Sequence, residues 1–321
     1  MFKRILIPLD GSSRAELALP VAARIAQASG GSIHLLQVLN LSAGYDGGMT
    51  PIVFATEQSA EMEMALSTDY LKSVAASAVL AGIQTTTEVI FGFAAQYILA
   101  DANAQDIDLI VLCSHGRTGF VGWVLGSVAH TLAHESTVPL LVLREGETAL
   151  PGTDTTRPLC ALVPLDGSEL AEAALAPAAH LVAALAAPAQ GALHLVQVVK
   201  IFPATAEEGF VSELNQEAIQ RARTYLAQVT ERLQTTMKEL VITSSVELEK
   251  DVSSALIHIA EHEGKRKESA SNCDLIAIST HGRSGVERWV MGSVTERILG
   301  GTKLPMLIVR PQKKGRDERG M

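Results

Sequence analysis

The chain is poor in cysteine, with three among 321 residues: Cys113, Cys160 and Cys273. Their spacing fits neither a metal site nor a disulfide framework, and a sparse, odd-numbered set is typical of the reducing cytoplasm. The first apolar run ends at Asp10, which makes it too short for the core of a signal peptide. We therefore expect a soluble cytoplasmic protein.

Positive charge is also scarce, because 26 Lys and Arg face 35 Asp and Glu, for a net charge of −9. Proteins that bind nucleic acids need clustered basic side chains, so we expect no nucleic-acid partner. Long apolar runs are missing too, since Glu172, Pro177, His180 and Pro188 interrupt the alanine-rich stretch 170–199. No membrane partner is therefore expected.

Three sequence motifs of nucleotide-dependent or hydrolytic enzymes are absent from the chain. It has no GxxxxGK[ST] phosphate loop, no GxGxxG after the first apolar run, and nothing like the nucleophile elbow of a Ser-His-Asp hydrolase. These absences argue against efficient nucleotide hydrolysis, and we expect a protein that is not an enzyme.

What the chain does have is a duplication. Three phrases occur twice in the same order: LIPLDGS and LVPLDGS at 6–12 and 162–168, GSIHLLQV and GALHLVQV at 31–38 and 191–198, and SHGRTGFVGWVLGSV and THGRSGVERWVMGSV at 114–128 and 280–294. Such ordered repetition indicates an architecture of two similar units, which we call lobe 1 and lobe 2.

Each lobe alternates short apolar runs with longer segments of helical pattern. The candidate strands are 3–9, 33–39, 86–91, 108–113 and 139–143 in lobe 1, and 159–165, 193–199, 241–247, 274–279 and 305–309 in lobe 2. They are rich in Val, Ile and Leu without strict alternation, as in parallel strands buried on both faces. The segments between them can form crossover helices, so the sequence predicts an α/β fold with two doubly wound domains.

Boundaries follow from where this pattern stops. We place lobe 1 at residues 1–146, a linker without apolar periodicity at 147–158, lobe 2 at 159–310 and a charged tail at 311–321. Two segments have the form of a capping box and predict helix starts: Ser13-Arg14-Ala15-Glu16 and Ser293-Val294-Thr295-Glu296.

The longest repeated phrase follows the fourth strand, at the sheet edge where doubly wound domains bind ligands. Gly116 and Gly282 leave room for a ligand beside the backbone. Ten residues later, Gly126-Ser127 and Gly292-Ser293 begin helices, whose free N–H groups and dipole attract anions. We expect a phosphate between loop and helix. The alternative, that the glycines only turn the chain and the serines only cap the helix, stays open.

Acidic and basic side chains flank this edge. Asp10 and Asp166 end the first strand of each lobe, where a carboxylate can bind a ribose or a base amino group, or cap the following turn. His115 and His281 precede the loop glycines. We interpret these histidines as positioning groups, because no nucleophile or acidic partner stands beside them in the sequence.

Two histidine pairs have the i,i+4 spacing that can ligate zinc: His130 with His134, and His258 with His262. Neither pair recurs at the counterpart positions of the other lobe, and neither belongs to an HExxH motif. We interpret both as solvent-facing helical histidines.

Both lobes resemble the universal stress protein family over nearly their whole length. The family's nucleotide signature, G-x2-G-x9-G-[S/T], is matched by Cys113-x2-Gly116-x9-Gly126-Ser127 and by Ser279-x2-Gly282-x9-Gly292-Ser293. Cys113 and Ser279 replace the first glycine, which costs affinity if that position needs a positive φ. The resemblance implies two tandem domains, each with a five-stranded parallel sheet of order 3-2-1-4-5 and helices on both faces.

The resemblance also implies ATP as cofactor, with Mg²⁺ as a candidate companion ion. Asp10 and Val38, or Asp166 and Val198, would lie near the adenosine. The phosphates would lie on Gly116, Gly126, Ser127 and Val128, or on Gly282, Gly292, Ser293 and Val294. Further candidates for the nucleotide site are Cys113, His115, Arg117, Ser279, His281 and Arg283.

Family members commonly pair through their last strands, which here implies pairing of 138–143 with 304–309 within one chain. A homodimer and an unidentified regulatory protein partner are further expectations. Three functions compete: a regulatory module that binds adenine nucleotide in each lobe without efficient catalysis, a scaffold of the same fold without nucleotide, and a slow ATP hydrolase. The intact Gly-x9-Gly-Ser segments favour the first.

Overall fold

The structure is a computed structural model that describes residues 2–40, 57–114, 125–144, 158–201, 208–261, 273–282 and 291–311. These residues contain ten strands: β1 Arg4–Leu9, β2 Ser32–Leu39, β3 Thr85–Phe91, β4 Leu109–Cys113, β5 Leu140–Leu143, β6 Cys160–Pro164, β7 Gly191–Lys200, β8 Leu240–Glu249, β9 Leu275–Ser279 and β10 Met306–Val309. All ten correspond to the expected strands, with ends shifted by one or two residues at most.

The same ranges contain nine α-helices: α1 Ala18–Ser29, α2 Glu57–Ala75, α3 Ala94–Ala104, α4 Ser127–Glu135, α5 Glu169–Glu172, α6 Leu175–Ala186, α7 Glu208–Thr236, α8 Val252–Glu261 and α9 Ser293–Gly301. Each helix lies between successive strands of its lobe, and the short α5 precedes α6 in the connection from β6 to β7. This alternation confirms the βαβ pattern, and the expected linker 147–158 lies outside the described residues except for its last position.

The strands form one sheet of order β3-β2-β1-β4-β5-β10-β9-β6-β7-β8. Within each lobe all pairs are parallel and the order is 3-2-1-4-5, which confirms the expected fold. At the centre β5 and β10 pair antiparallel, with Leu141 opposite Leu307. The last strands of the two lobes therefore pair within the chain, as expected, and neither has an exposed edge.

Apolar layers cover both faces of this sheet because successive strand side chains point to opposite sides. In β1, Ile5 and Ile7 join one layer and Leu6 joins the other, and all three are fully buried. Burial of such a side chain stabilises the fold by roughly 1.5–3 kcal/mol. A strand apolar on both faces needs helices on both faces, which explains the doubly wound arrangement.

One of these layers is continuous across the two lobes, since α1 of lobe 1 packs against α6 of lobe 2. Arg24 Nη2 also donates to Ala187 O at 3.4 Å. The stretch Glu169–Ala186, which includes α6, is long and apolar enough to cross a membrane by composition, yet 56% of it is buried inside this fold. Its apolar character is accounted for by packing on β6 and β7 of its own lobe together with the contact with α1.

Both expected capping boxes are wrong. In lobe 1 the Ala15 N–H donates to Ser12 Oγ at 3.2 Å, not to Ser13, and the Glu16 carboxylate accepts from the Tyr70 hydroxyl at 2.9 Å. In lobe 2, Gly292 occupies the N-cap position of α9, with no side-chain cap bond. Ser293 is instead the first residue inside the helix, because the bond from the Gly292 N–H to Thr280 O holds the glycine at the helix boundary.

Candidate functional site

Each lobe has a cavity at the carboxyl edge of its strands. In lobe 1 the cavity measures about 320 Å³, and its apolar wall is formed by Pro8, Leu9, Leu36, Val38, Ile98 and Leu112. In lobe 2 it measures about 290 Å³, and the corresponding wall is formed by Pro164, Leu165, Val196, Val198, Leu256 and Ile278. Both volumes lie near the lower end of the range for small-molecule sites, which runs from roughly 300 to 1,000 Å³.

A carboxylate stands at the rim of each cavity and is held by its own turn. Asp10 Oδ1 accepts from the Ser12 N–H at 3.0 Å and from Ser12 Oγ at 2.6 Å, and Asp166 makes the same two bonds to Ser168 at the same distances. The intervening Gly11 has φ 79°, a conformation that favours glycine. The alternative of a turn-capping aspartate is therefore correct, and it also fixes the carboxylate's orientation at the cavity.

In lobe 2 the loop glycine approaches this carboxylate closely. A Cβ added to Gly282 would lie 2.2 Å from Asp166 Oδ2, far inside van der Waals contact. Glycine at this position therefore lets the backbone lie against the aspartate, because a side chain here would displace the carboxylate. Its counterpart Gly116 lies outside the described residues, as do His115, Arg117 and Arg283.

A helix begins at the opposite rim. The Gly126 N–H donates to Ser114 O at 2.8 Å, and the Gly292 N–H donates to Thr280 O at 2.8 Å. These two hydrogen bonds hold the first residues of α4 and α9 against the ends of β4 and β9. N–H groups in the first helical turn have no acceptor within the helix, so they are available to an anion.

The serines at these helix starts do not serve as caps. Ser127 and Ser293 are exposed, and neither α4 nor α9 has a side-chain cap bond. Val128 and Val294 follow them along the cavity rim. The alternative in which both serines only cap a helix is therefore wrong, and each cavity has a hydroxyl and a helix dipole at one end.

The residues that replace the signature's first glycine lie at the ends of strands and line the cavities. Cys113 is half-buried in β4 and Ser279 is buried in β9. Among the described residues, the only positive φ outside glycine belongs to Asp106. Neither replacement therefore strains the backbone, because this position does not need the glycine conformation.

His281 lies at the lobe 2 cavity as a neutral, positioned group. Its Nδ1 is 2.8 Å from Thr280 Oγ1, and its backbone N–H donates to Ser279 Oγ at 3.4 Å. Burial, together with the positive charge of Arg310, lowers the pKa of His281 below its usual value of 6.5. At neutral pH the ring is thus uncharged and can make one further hydrogen bond.

The sequence of the chain can now be placed among known proteins. The Universal stress protein family matches residues 1–144 and again residues 161–310, which together are most of the chain. The chain belongs to the universal stress protein family. Two matches in one chain, one over each of the two lobes, make it a tandem member.

Individual relatives are similar to one lobe or to the whole chain. The universal stress protein YxiE of Bacillus subtilis (strain 168) is 30% identical over 148 residues, which are 45% of this chain and 100% of that protein. The universal stress protein MJ0531 of Methanocaldococcus jannaschii is 30% identical over 145 residues, 45% of this chain and 84% of that protein. The crystal structure of a universal stress protein from Archaeoglobus fulgidus DSM 4304 has a TM-score of 0.64 at 18% identity and covers 96% of this chain and 98% of its own. That structure shares the fold across both lobes.

Sequence reasoning missed several residues that line the cavities of this universal stress protein. Ser114 and Thr280 anchor the helix starts, and they open the longest repeated phrase, so the repeat was a signal for them. Asn40 and Ala94 in lobe 1 and Val252 in lobe 2 lie outside every repeated phrase. Only the tertiary structure brings them to the cavity.

Proposed function

We propose that this universal stress protein is a cytoplasmic regulatory module that binds one adenine nucleotide in each lobe without efficient catalysis. The observation that carries the proposal is the duplicated cavity, in which an oriented carboxylate, an apolar wall and a helix start occupy the same relative positions. Those three features match the three parts of a nucleotide, which are ribose, base and phosphates.

The base and ribose would lie on the strand side of each cavity. An adenine ring buries apolar area against Val38 and Leu36 in lobe 1, or against Val198 and Val196 in lobe 2. The second oxygen of the carboxylate faces the loop in lobe 2, where Asp166 Oδ2 meets Gly282. A ribose hydroxyl that donates to this carboxylate would fix the orientation of the sugar, since such bonds are stronger than neutral ones.

The phosphates would lie at the helix starts. Backbone N–H groups of Ser127 and Val128, or of Ser293 and Val294, point out of the first turn, where the dipole favours negative charge. The serine hydroxyls add donors that no cap bond occupies. Mg²⁺ is the expected companion of ATP, and it commonly keeps several waters and is held largely by the phosphates themselves.

Catalysis is a weaker hypothesis because the described lining residues of the cavities include no poised acid–base pair. In lobe 2 their only histidine is His281, whose pKa is lowered by burial and whose Nδ1 is engaged by Thr280. General-base catalysis requires a group with a suitable pKa within reach of the water it activates. A nucleotide-free scaffold is the second candidate, because the side chains of Cys113 and Ser279 line the cavities where the family signature has a glycine.

Calorimetric titration of purified protein with ATP, ADP and AMP tests the proposal, together with mass spectrometry of nucleotide released on denaturation. We expect up to two adenine-nucleotide sites per chain. The absence of binding at millimolar ATP, with protein that circular dichroism shows to be folded, contradicts the proposal and favours the scaffold. Turnover of ATP at a rate lost in cavity variants would instead support the hydrolase.

A further inference from the structure

A cluster of metal-ligating side chains lies away from both cavities, on the contact between the lobes. His130 and His134 are one turn apart on the same face of α4, and their ring centroids are 4.4 Å apart. Glu296 of α9 faces them from lobe 2. We propose that these three residues form a zinc-type metal site that bridges the two lobes.

The distances in this cluster suit a shared ion. His130 Nε2 lies 3.4 Å from Glu296 Oε1, His134 Nε2 lies 3.0 Å from Glu296 Oε2, and each residue has one ligand atom within 4.8 Å of the others. Ligands bound to zinc at 2.0–2.2 Å in a tetrahedron are roughly 3.3–3.6 Å apart. Small side-chain rotations therefore bring all three ligand atoms onto one ion.

One ligand atom in the cluster is buried without a hydrogen bond. His134 Nε2 has almost no solvent contact and no hydrogen-bond partner, although Glu296 Oε2 is only 3.0 Å away, because the two atoms are not aligned for such a bond. A buried ring nitrogen without a partner is costly, and a metal ion would satisfy it. The expectation that both histidines face solvent is wrong for His134, which is half-buried and faces the other lobe.

Two arginine contacts between the lobes hold α4 and α9, the helices that carry the three ligands. Arg310, which follows β10, donates through Nη1 to His134 O at 3.1 Å and to Glu135 O at 3.3 Å, so the last turn of α4 is held by lobe 2. In the other direction Arg144, which follows β5, donates to Leu299 O in α9. These reciprocal arginine contacts keep α4 and α9 side by side, and they engage backbone carbonyls rather than the Glu296 carboxylate.

The pseudo-twofold relation between the lobes explains why there is one such cluster. Gly126 and Gly292 begin corresponding helices, so His130 and Glu296 occupy counterpart positions and face each other across the pseudo-twofold axis. The counterpart of His134 is Gly300, which offers no ligand. The stoichiometry expected for this site is therefore one ion per chain.

The donor set indicates the class of metal. Two imidazole nitrogens and one carboxylate oxygen suit Zn²⁺ and other divalent transition metals, whereas Mg²⁺ and Ca²⁺ prefer oxygen ligands alone. Three protein ligands leave a fourth position for water. A metal here links the two helices that begin at the proposed phosphate sites, and it clamps lobe 1 to lobe 2 without entering either cavity.

Calorimetric titration of chelator-treated protein with Zn²⁺, and with Co²⁺ followed by visible absorption, tests the site. We expect one equivalent to bind wild type, and His134→Ala and Glu296→Gln each to weaken binding by at least about tenfold, as loss of a zinc ligand does. His258→Ala, from the other i,i+4 pair, and Asp101→Asn, from a second cluster with His34 and Glu88, are matched controls and should bind as wild type.

A second measurement separates a bridge from a chelate on one helix. A Zn²⁺ concentration that saturates wild type should raise the melting temperature of wild type and of the His258→Ala control by more than that of Glu296→Gln, because stabilisation by a ligand of the native state grows with affinity. Glu296 is exposed and His134 is only half-buried, so both variants should fold. Unchanged affinity in Glu296→Gln, affinity that follows Asp101 or His258, or no binding to wild type would each overturn the proposal.

Discussion

The same histidine position has different surroundings in the two lobes. In lobe 1, His34 Nδ1 lies 2.8 Å from Thr86 Oγ1, while Nε2 faces Asp101 Oδ2 at 3.3 Å and Glu88 Oε2 at 3.7 Å. In lobe 2, His194 keeps the Nδ1 contact, at 2.8 Å from a threonine of the neighbouring strand, but its Nε2 meets a serine hydroxyl at 3.0 Å. The two lobes therefore share the backbone around this histidine, but only lobe 1 places acidic side chains beside the ring.

The difference arises at two positions, one on the neighbouring strand and one on the helix that covers the histidine, where the two lobes carry different residues. Ser245 of β8 stands where β3 has Glu88, and Ile259 of α8 stands where α3 has Asp101. Burial is the main cause that raises the pKa of Asp101, with Glu88 adding to it and His34 opposing it. The cavities keep the same features in both lobes, so the lobes differ around this histidine but not in the features proposed to bind nucleotide.

The largest expected effect comes from breaking the antiparallel pairing of β5 with β10, which joins the two lobes. Leu141 and Leu307 are opposite each other and fully buried, so the double variant Leu141→Lys with Leu307→Lys places two ammonium groups in an apolar layer. We expect a loss of roughly 4 kcal/mol or more in the free energy of unfolding, measured by chemical denaturation. Leu170→Lys, at an exposed leucine, is the control and should change stability by about 0.5 kcal/mol or less. A double variant as stable as wild type would refute the central pairing.

Removing one phosphate site at a time shows whether the lobes are functionally equal. A side chain at Gly292 would begin 3.2 Å from Thr280 O, so the branched Gly292→Val should obstruct the helix start. Gly126 makes the counterpart backbone bond, to Ser114 O, and Gly126→Val is the matching variant in lobe 1. We expect each variant to lose one of two ATP sites in calorimetry, with affinity there reduced at least about tenfold, which corresponds to about 1.4 kcal/mol. Gly300→Val, on the same helix in open space, is the control. Two remaining sites in both single variants would place the nucleotide elsewhere.

The two histidine environments should respond to pH with opposite sign. Burial lowers the pKa of His194 below 6.5, so its contribution to stability is present above pH 6.5 and is lost as the pH falls. The pKa of Asp101 is raised above 3.8, so its contribution is present below pH 3.8 and is lost as the pH rises through the folded-state pKa.

Denaturation of wild type, His194→Gln and Asp101→Asn between pH 4 and 8 measures this contrast. Relative to wild type, His194→Gln should gain stability on acidification below pH 6.5, since it removes the group that must charge. Asp101→Asn should instead gain as the pH rises. Parallel curves for wild type and both variants would show that the two environments do not differ in this way.

The smallest expected effect concerns thiol reactivity. Cys113 is half-buried at the lobe 1 cavity, whereas Cys160 and Cys273 are buried with their Sγ atoms 3.5 Å apart. A thiol reagent should therefore label Cys113 first, as mapped by mass spectrometry, and ATP should slow that reaction because the nucleotide covers the cavity. Lobe 2 has Ser279 at the equivalent position and offers no such thiol. Faster labelling of either buried cysteine, or no protection by ATP, contradicts this expectation.

Much of the fold was predictable because its signals are local. Apolar runs such as 108–113 mark buried strands whatever lies around them, and the repeated phrases fix their correspondence between lobes. The sheet order came from the family resemblance, since strand order depends on contacts that no local pattern encodes. The starts of α4 and α9 were predicted correctly at the glycine-serine pairs, whereas α1 begins at Ala18, five residues after the expected cap Ser13. The cap was wrong at Ser13 because Asp10 orients Ser12, and at Ser293 because Gly292 takes the boundary.

By itself, the sequence determined that this chain is two α/β lobes with a glycine-serine helix start at the edge of each sheet, because apolar periodicity and turn residues act over short distances. Only the tertiary structure decided what lies between the lobes. Antiparallel docking of β5 on β10 brings α1 onto α6 and sets Glu296 against His130 and His134, and folding of lobe 2 brings Cys160 to Cys273. These groups are far apart along the chain, so their chemistry depends on the packing that joins them.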